Sequence, residues 1–264
     1  MNNNDSNNHG LGNLDDLFRS ARADGLTDDT MDLVVSNLNG PTMMNAVGTP
    51  LNALVSNEVT LAMNIIDMSG SMLPYAADLI SAYNDHYLTA MTLSSAADDI
   101  LVSTIFFEDR VKLFHGYLGL QDAPRLSDTV YRPGATTALY DAVAAGLTNM
   151  VLYAQQLRQS GIMVRCLVLV YSDGGDNASS QPASAVRRAV QELLKHDIYT
   201  LAYVGFRAGR LSEDDLRQMA DTIGFPEILT SNLGPGELQR IFRMASLSTI
   251  SVSRGRAAAQ GVFS

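Results

Sequence analysis

Hydrophobic spacing changes character several times along the chain. Near the start, Leu11, Leu14, Leu17 and Phe18 fall on one helical face. A second short pattern follows, with Thr27 as N-cap, Asp28 and Asp29 in the first turn, and Met31, Val34, Val35 and Leu38 behind them. Gly40-Pro41 reads as the stop of that segment. Residues 41–57 read as a loop. From residue 58 onward, short apolar runs alternate with helical patterns. Val59–Ile66, Ile100–Phe107, Val111–Tyr117, Met163–Tyr171, Ile198–Val204 and Ile228–Thr230 read as strands. Ser71–Thr92, Ala138–Arg158, Ala183–Lys195, Ser212–Ile223 and Pro235–Ser248 read as helices. Pro74 sits in a first turn, where a missing N–H costs nothing, and Gly224 stands just past a helix end.

Strands alternating with helices predict an α/β fold, a doubly wound, mostly parallel sheet flanked by helices, with a short N-terminal helical extension. Met163–Tyr171 is apolar apart from Arg165, as a strand buried on both faces should be. Ile100–Phe107 and Val111–Tyr117 are close enough in sequence to form an antiparallel hairpin at one edge. The domain reading is an Asn-rich, disordered tail over 1–10, a helical extension and linker over 11–57, the α/β domain over 58–248, and a tail over 249–264. In such sheets ligands bind outside the carboxyl ends of the strands.

Composition narrows the function classes. Of 264 residues, 46% are hydrophobic, so material for a core is ample. The net charge of −10 argues against a basic nucleic-acid footprint and against docking on an anionic membrane. The first ten residues carry neither a basic nor an apolar segment of a secretory signal, and no apolar run approaches the ~20 residues of a membrane span. The single cysteine, Cys166, lies in an apolar strand and reads as core. Together these predict a soluble, cytoplasmic protein.

The chemistry gathers in three loops. The first is Asp67-Met68-Ser69-Gly70-Ser71, at the end of the first strand of the sheet. The second runs from Gly134 through Thr136 and Thr137 into a long helix. The third, Tyr171-Ser172-Asp173-Gly174-Gly175-Asp176-Asn177, closes the most apolar strand. If their strands are neighbours, Asp67 and Asp173 stand side by side. Two carboxylates in proximity repel unless a cation lies between them. Hydroxyls from Ser69, Ser71 and a threonine complete a hard oxygen shell, which suits Mg²⁺, with Mn²⁺ and Ca²⁺ as alternatives. His9, His86, His115 and His196 are scattered without ligand spacing, which argues against zinc. A serine nucleophile lacks both a neighbouring histidine and the G-x-S-x-G elbow. Asp176 and Asn177 read as a turn, Asp141 as a first-turn helix acid, and Met68 as an exposed neighbour of the ion.

The set DMSGSM, GATTALYDA and LVYSDGGDN resembles the von Willebrand factor A domain and its metal-ion-dependent adhesion site, DxSxS…T…D. The resemblance covers roughly residues 58–248. It implies a metal site built from Asp67, Ser69, Ser71, Thr136 and Asp173, with Ser172 in place of the usual threonine. Ser69 and Ser71 would bind the ion directly, Thr136 directly or through water, and the two aspartates mostly through water. It further implies a protein partner that offers Asp or Glu to the metal. For intracellular members that partner is typically an AAA+ ATPase or a kinase–phosphatase module. The expected function is therefore an adaptor without catalysis of its own. The alternatives are a structural assembly subunit that oligomerises through the N-terminal helices and tail, and a Mg²⁺-dependent phosphoester enzyme. The serine-rich tail resembles that of bacterial tellurium-resistance-type members.

Overall fold

A computed structural model describes residues 14–37, 48–134, 136–207, 211–255 and 263. The expectations of a disordered stretch over 1–10, of Leu11 on a helical face and of a stop at Gly40-Pro41 lie outside these residues. So do residues 38–47 after the second helix and residues 256–262 and 264 of the tail.

Six strands form one sheet in the order β3-β2-β1-β4-β5-β6: β1 Glu58–Asp67, β2 Ile100–Phe107, β3 Val111–Gly119, β4 Met163–Ser172, β5 Tyr199–Arg207 and β6 Glu227–Asn232. All pairings are parallel except β2–β3, the antiparallel edge hairpin. The central strands β1 and β4 are buried on both faces almost throughout, as their unbroken apolar runs require. Because β1 and β4 are direct neighbours with Ile66 opposite Tyr171, the first and third oxygen-rich loops leave the same edge side by side.

One face of the sheet carries α5 (Leu139–Gln159), α6 (Ala183–Leu193) and α7 (Glu213–Ile223). α5 approaches β1 closely at Gly146, where a Cβ would lie 2.5 Å from Ile65 Cδ1. Ser212 and Asp215 form a reciprocal cap at the start of α7, and Gly224, just past its end as predicted, closes it in the left-handed region.

The opposite face carries the helical segment 70–92 and α8 (Pro235–Ser253). The sequence predicts one regular helix over 71–92. Instead, a 3₁₀ turn (Gly70–Tyr75) leads into α3 (Ala76–Ser81), a π-helical stretch (Ala82–Leu88) and α4 (Thr89–Thr92). Thr89 Oγ1 donates to the Asn84 carbonyl at 2.9 Å, five residues back, and Asn84 pins Leu126 through both its amide atoms. These bonds occupy the backbone where the ladder widens. Leu73, in the 3₁₀ turn, is 62% exposed. α8 runs five residues past the expected stop, with Thr249 and Val252 continuing its buried stripe.

The N-terminal helices α1 (Leu14–Ala23) and α2 (Asp28–Asn37) cover α5 and α6 as an extra layer. Ala21, Leu26, Met31, Leu33 and Val34 join the same core as α5 and α6. The fastener is Glu192 of α6, only 5% exposed, whose carboxylate accepts from the Thr27 N–H, from Thr27 Oγ1 at 2.5 Å and from Thr30 Oγ1. Burial pushes the Glu192 carboxyl up, but these hydrogen bonds from Thr27 and Thr30 outweigh it and hold the group below its ordinary value. Arg158–Asp24 and Arg188–Asp29 ion pairs flank the contact at 3.0 and 3.2 Å. Among the described residues no helix is long and apolar enough to cross a membrane.

Candidate metal centre

β1 delivers Asp67 fully buried at its carboxyl end. The carboxylate is held at both oxygens: Oδ1 accepts the Ser69 N–H at 2.8 Å and Oδ2 accepts Ser172 Oγ at 2.6 Å. Ser172 is the last residue of β4, so the bond follows directly from the β1–β4 register. The Tyr131 hydroxyl donates to the Asp67 carbonyl at 2.6 Å, a contact that no local pattern foretells.

The chain then turns. Ser69 Oγ lies 3.1 Å from Ser71 Oγ, and Ser71 Oγ donates to Asp173 Oδ1 at 2.9 Å. Ser69 and Asp173 are each 3% exposed, whereas Ser71 opens to solvent. Four of the five predicted residues (Asp67, Ser69, Ser71 and Asp173) therefore stand in one hydrogen-bonded group at the carboxyl edge. Burial pushes the Asp67 carboxyl up to about 6. Hydrogen bonds from Ser172 and Ser69 pull back part of that rise, and the Asp173 charge adds to it. Burial likewise raises Asp173, offset in part by Ser71.

Thr136 lies on the loop that approaches this group from the other side. Gly134 N–H donates to the Met68 carbonyl at 2.9 Å, which sets the loop between Asp67 and Ser69. Thr136 is exposed, and among the described residues it hydrogen-bonds to none of the other four. Its neighbour Thr137 is buried, and its backbone pairs with Asn177.

Met68 is not the exposed neighbour expected from the sequence. Its N–H donates to the Phe107 carbonyl at 2.7 Å, extending the β1–β2 ladder by one residue. That puts its side chain on the Ile66 face, buried with Met72. Asp141 is a first-turn acid of α5, as predicted, but its carboxylate also accepts the Ser180 and Gln181 N–H groups.

The donor set tests well for a hard divalent cation. Among the described residues no three His, Cys, Asp or Glu side chains gather to hold an ion. What converges here is hydroxyl and carboxylate oxygen. Among the described residues, Asp173 Oδ2 is buried without a hydrogen-bond partner. Buried polar oxygens are almost always paired, and a bare carboxylate oxygen is costly to bury. A cation beside Ser69, Ser71 and Asp173 would satisfy it and relieve the repulsion between the two acids.

No family model matches the chain, and no curated protein matches it. Solved structures do match. A mutant of the PilB minor pilin from Streptococcus sanguinis superposes with a TM-score of 0.52 at 12% identity, over 79% of this chain and 65% of that one. The pilus adhesin SpaC from Lactobacillus rhamnosus GG, in its open conformation, gives 0.53 at 11% identity, over 75% of this chain and 30% of that one. The vWF domain of the type V pili tip protein Mfa5 from Porphyromonas gingivalis gives 0.51 at 10% identity, over 75% of this chain and 96% of that domain. The chain has the von Willebrand factor A fold. It spans under two thirds of the pilin and less than a third of the adhesin, and nearly the whole of the isolated Mfa5 domain. At these identities the likeness concerns the fold alone. The resemblance of the tail to tellurium-resistance-type proteins gains no support from these structures.

Proposed function

We propose that this von Willebrand A domain binds a protein partner through a divalent cation, Mg²⁺ in the cell, held by Ser69, Ser71 and Thr136 with Asp67 and Asp173 behind them. The observation that carries the reading is the relay from Ser69 through Ser71 to Asp173, ending at a buried carboxylate oxygen without a partner among the described residues. When bound, the cation supplies a positively charged position that a partner's Asp or Glu carboxylate can fill. The chain's own residues do the rest. Asp67, locked by Ser69 N–H and Ser172 Oγ, fixes the turn that presents the two serines. Ser71, the exposed member of the relay, puts its hydroxyl at the mouth of the site. The chain does no covalent chemistry of its own in this reading. An AAA+ ATPase or a kinase–phosphatase module presenting an acidic residue fits the chemistry.

Pull-down from the native host with the tagged full chain tests this. A specific partner should be held in Mg²⁺, and lost both in chelator and with the Ser69→Ala/Ser71→Ala variant, whose folding is checked by thermal melting. A partner retained in all three arms would remove the metal from the interaction and move the binding surface elsewhere.

A further inference from the structure

The start of α5 has an unusual solution to a general problem. The first N–H groups of a helix have no partner within it, and a local Ser, Thr, Asp or Asn normally supplies one. Here the residue at the cap position is Ala138, which has no side-chain acceptor. The acceptors come from the loop after β4, some 40 residues away. Asp176 Oδ1 takes the Tyr140 N–H at 3.3 Å and Ser179 Oγ takes the Asp141 N–H at 3.0 Å. Asn177 Oδ1 takes the Thr137 N–H at 2.9 Å, and the Asn177 and Ala178 N–H groups return bonds to the Thr137 carbonyl at 2.9 and 3.2 Å. Asp141 answers by accepting the Ser180 and Gln181 N–H groups. The loop that carries Thr136 and the loop that carries Asp173 are therefore zipped to each other.

Among the described residues, the Thr136 loop is held by the Gly134 N–H on the Met68 carbonyl, by Thr137 against Asn177 and Ala178, and by the Ala138 N–H on the Glu108 carbonyl at 2.7 Å. All but one of these bonds are backbone to backbone. Only the bond from the Thr137 N–H to the Asn177 amide oxygen uses a side chain, and it lies one residue from Thr136. Resting on the metal-site reading above, we propose that Asn177 is a positioning residue. Its amide oxygen locks Thr137 and so aims the neighbouring Thr136 hydroxyl at the cation held by Ser69 and Ser71. Asn177 itself is exposed and, among the described residues, hydrogen-bonds to none of Asp67, Ser69, Ser71, Thr136 and Asp173, so its effect on the cation passes through Thr137. It is thus a support for the site, in place of the plain turn residue that its sequence context suggests.

The test is Mg²⁺ titration calorimetry on the full chain in three forms: unaltered, Asn177→Ala, and Asn177→Asp, which keeps an acceptor oxygen. Thermal midpoints are measured in parallel, and Thr137 amide exchange is measured on the metal-free protein. Removing a group that supports a metal ligand weakens binding by about 10- to 100-fold. Asn177→Ala should therefore bind Mg²⁺ about tenfold more weakly, with a midpoint close to that of the unaltered chain and faster Thr137 exchange. Asn177→Asp should restore both. If the unaltered chain binds Mg²⁺ and Asn177→Ala binds it equally well, the positioning role is overturned while the metal site stands. If the unaltered chain binds no Mg²⁺, the metal reading falls and this inference falls with it.

Discussion

Adding Mg²⁺ to the metal-free protein at pH 7 should raise its unfolding midpoint by roughly 5–10 °C. An ion that binds only the folded state at about 100 times its Kd contributes about 2.7 kcal/mol. Each kcal/mol moves a domain of this size by about 2–4 °C. The physical source is local. Two buried acids repel, and one oxygen of Asp173 has no partner among the described residues, so the metal-free fold carries a cost that a cation removes. Asp173→Ala should behave in the opposite sense. It takes away the bare carboxylate and leaves the solvent-open Ser71 hydroxyl to bond with water. The variant should melt no lower than the unaltered chain in chelator, and it should fail to respond to Mg²⁺. Calorimetric melts of both proteins, with and without the ion, give the four numbers needed. A variant that gains as much from Mg²⁺ as the unaltered chain would place the ion somewhere else.

The second large effect concerns Glu192. Glu192→Ala should destabilise the protein by about 3 kcal/mol, because it strips the acceptor from the Thr27 N–H and from two threonine hydroxyls, one of them the fully buried Thr30. Hydrogen bonds to a charged group are worth about 1.5–3 kcal/mol net, and stranded buried donors cost about 1–3 kcal/mol each. The loss should loosen α1 and α2 first, since these bonds join them to α6. A pH signature accompanies it. Glu192 is held below its ordinary value of 4.5 in the fold, so the unfolded chain takes up its proton first as the pH falls. Its contribution is fully present above about pH 4.5 and is lost as the pH drops through the folded value. Urea midpoints measured from neutral pH down into that window should therefore fall more steeply for the unaltered chain than for Glu192→Ala. Protease cleavage within residues 14–37 should appear early in the variant at neutral pH. Equal midpoints at neutral pH would mean that α1 and α2 are held by apolar contacts alone.

Much of this site was legible in the sequence because its parts are local. A strand that ends in an acid, followed by serines at two-residue spacing, needs only the β1 pattern to be placed. Ser172-Asp173 needs only β4. The strand order then brings them together, and parallel α/β topology makes that order easy to anticipate. What the sequence hid is what depends on distant partners or on phase. Tyr131 reaches the Asp67 carbonyl across 64 residues, and nothing near it in sequence marks the contact. The cap of α5 is invisible locally because Ala138 contributes nothing and Asp176, Asn177 and Ser179 lie a whole strand and helix away. Met68 was misread because one further ladder bond to Phe107 turns its side chain inward. The single regular helix expected over 71–92 is broken because a 3₁₀ turn and a π-helical stretch alter the helical phase there. How α1 and α2 are fastened could not be read either, since Glu192 resembles an ordinary surface acid until Thr27 and Thr30 are folded against it.

The most direct test of the metal site is crystallographic. Crystals grown with Mn²⁺ and measured for its anomalous signal should show a single strong peak at the carboxyl edge of β1 and β4, within bonding distance of the Ser69 and Ser71 hydroxyls. Thr136 and Asp173 should face the same peak. A peak elsewhere, or none beside those two serines in Mn²⁺-saturated crystals, would contradict the assignment and leave the relay of Ser69, Ser71 and Asp173 a structural turn.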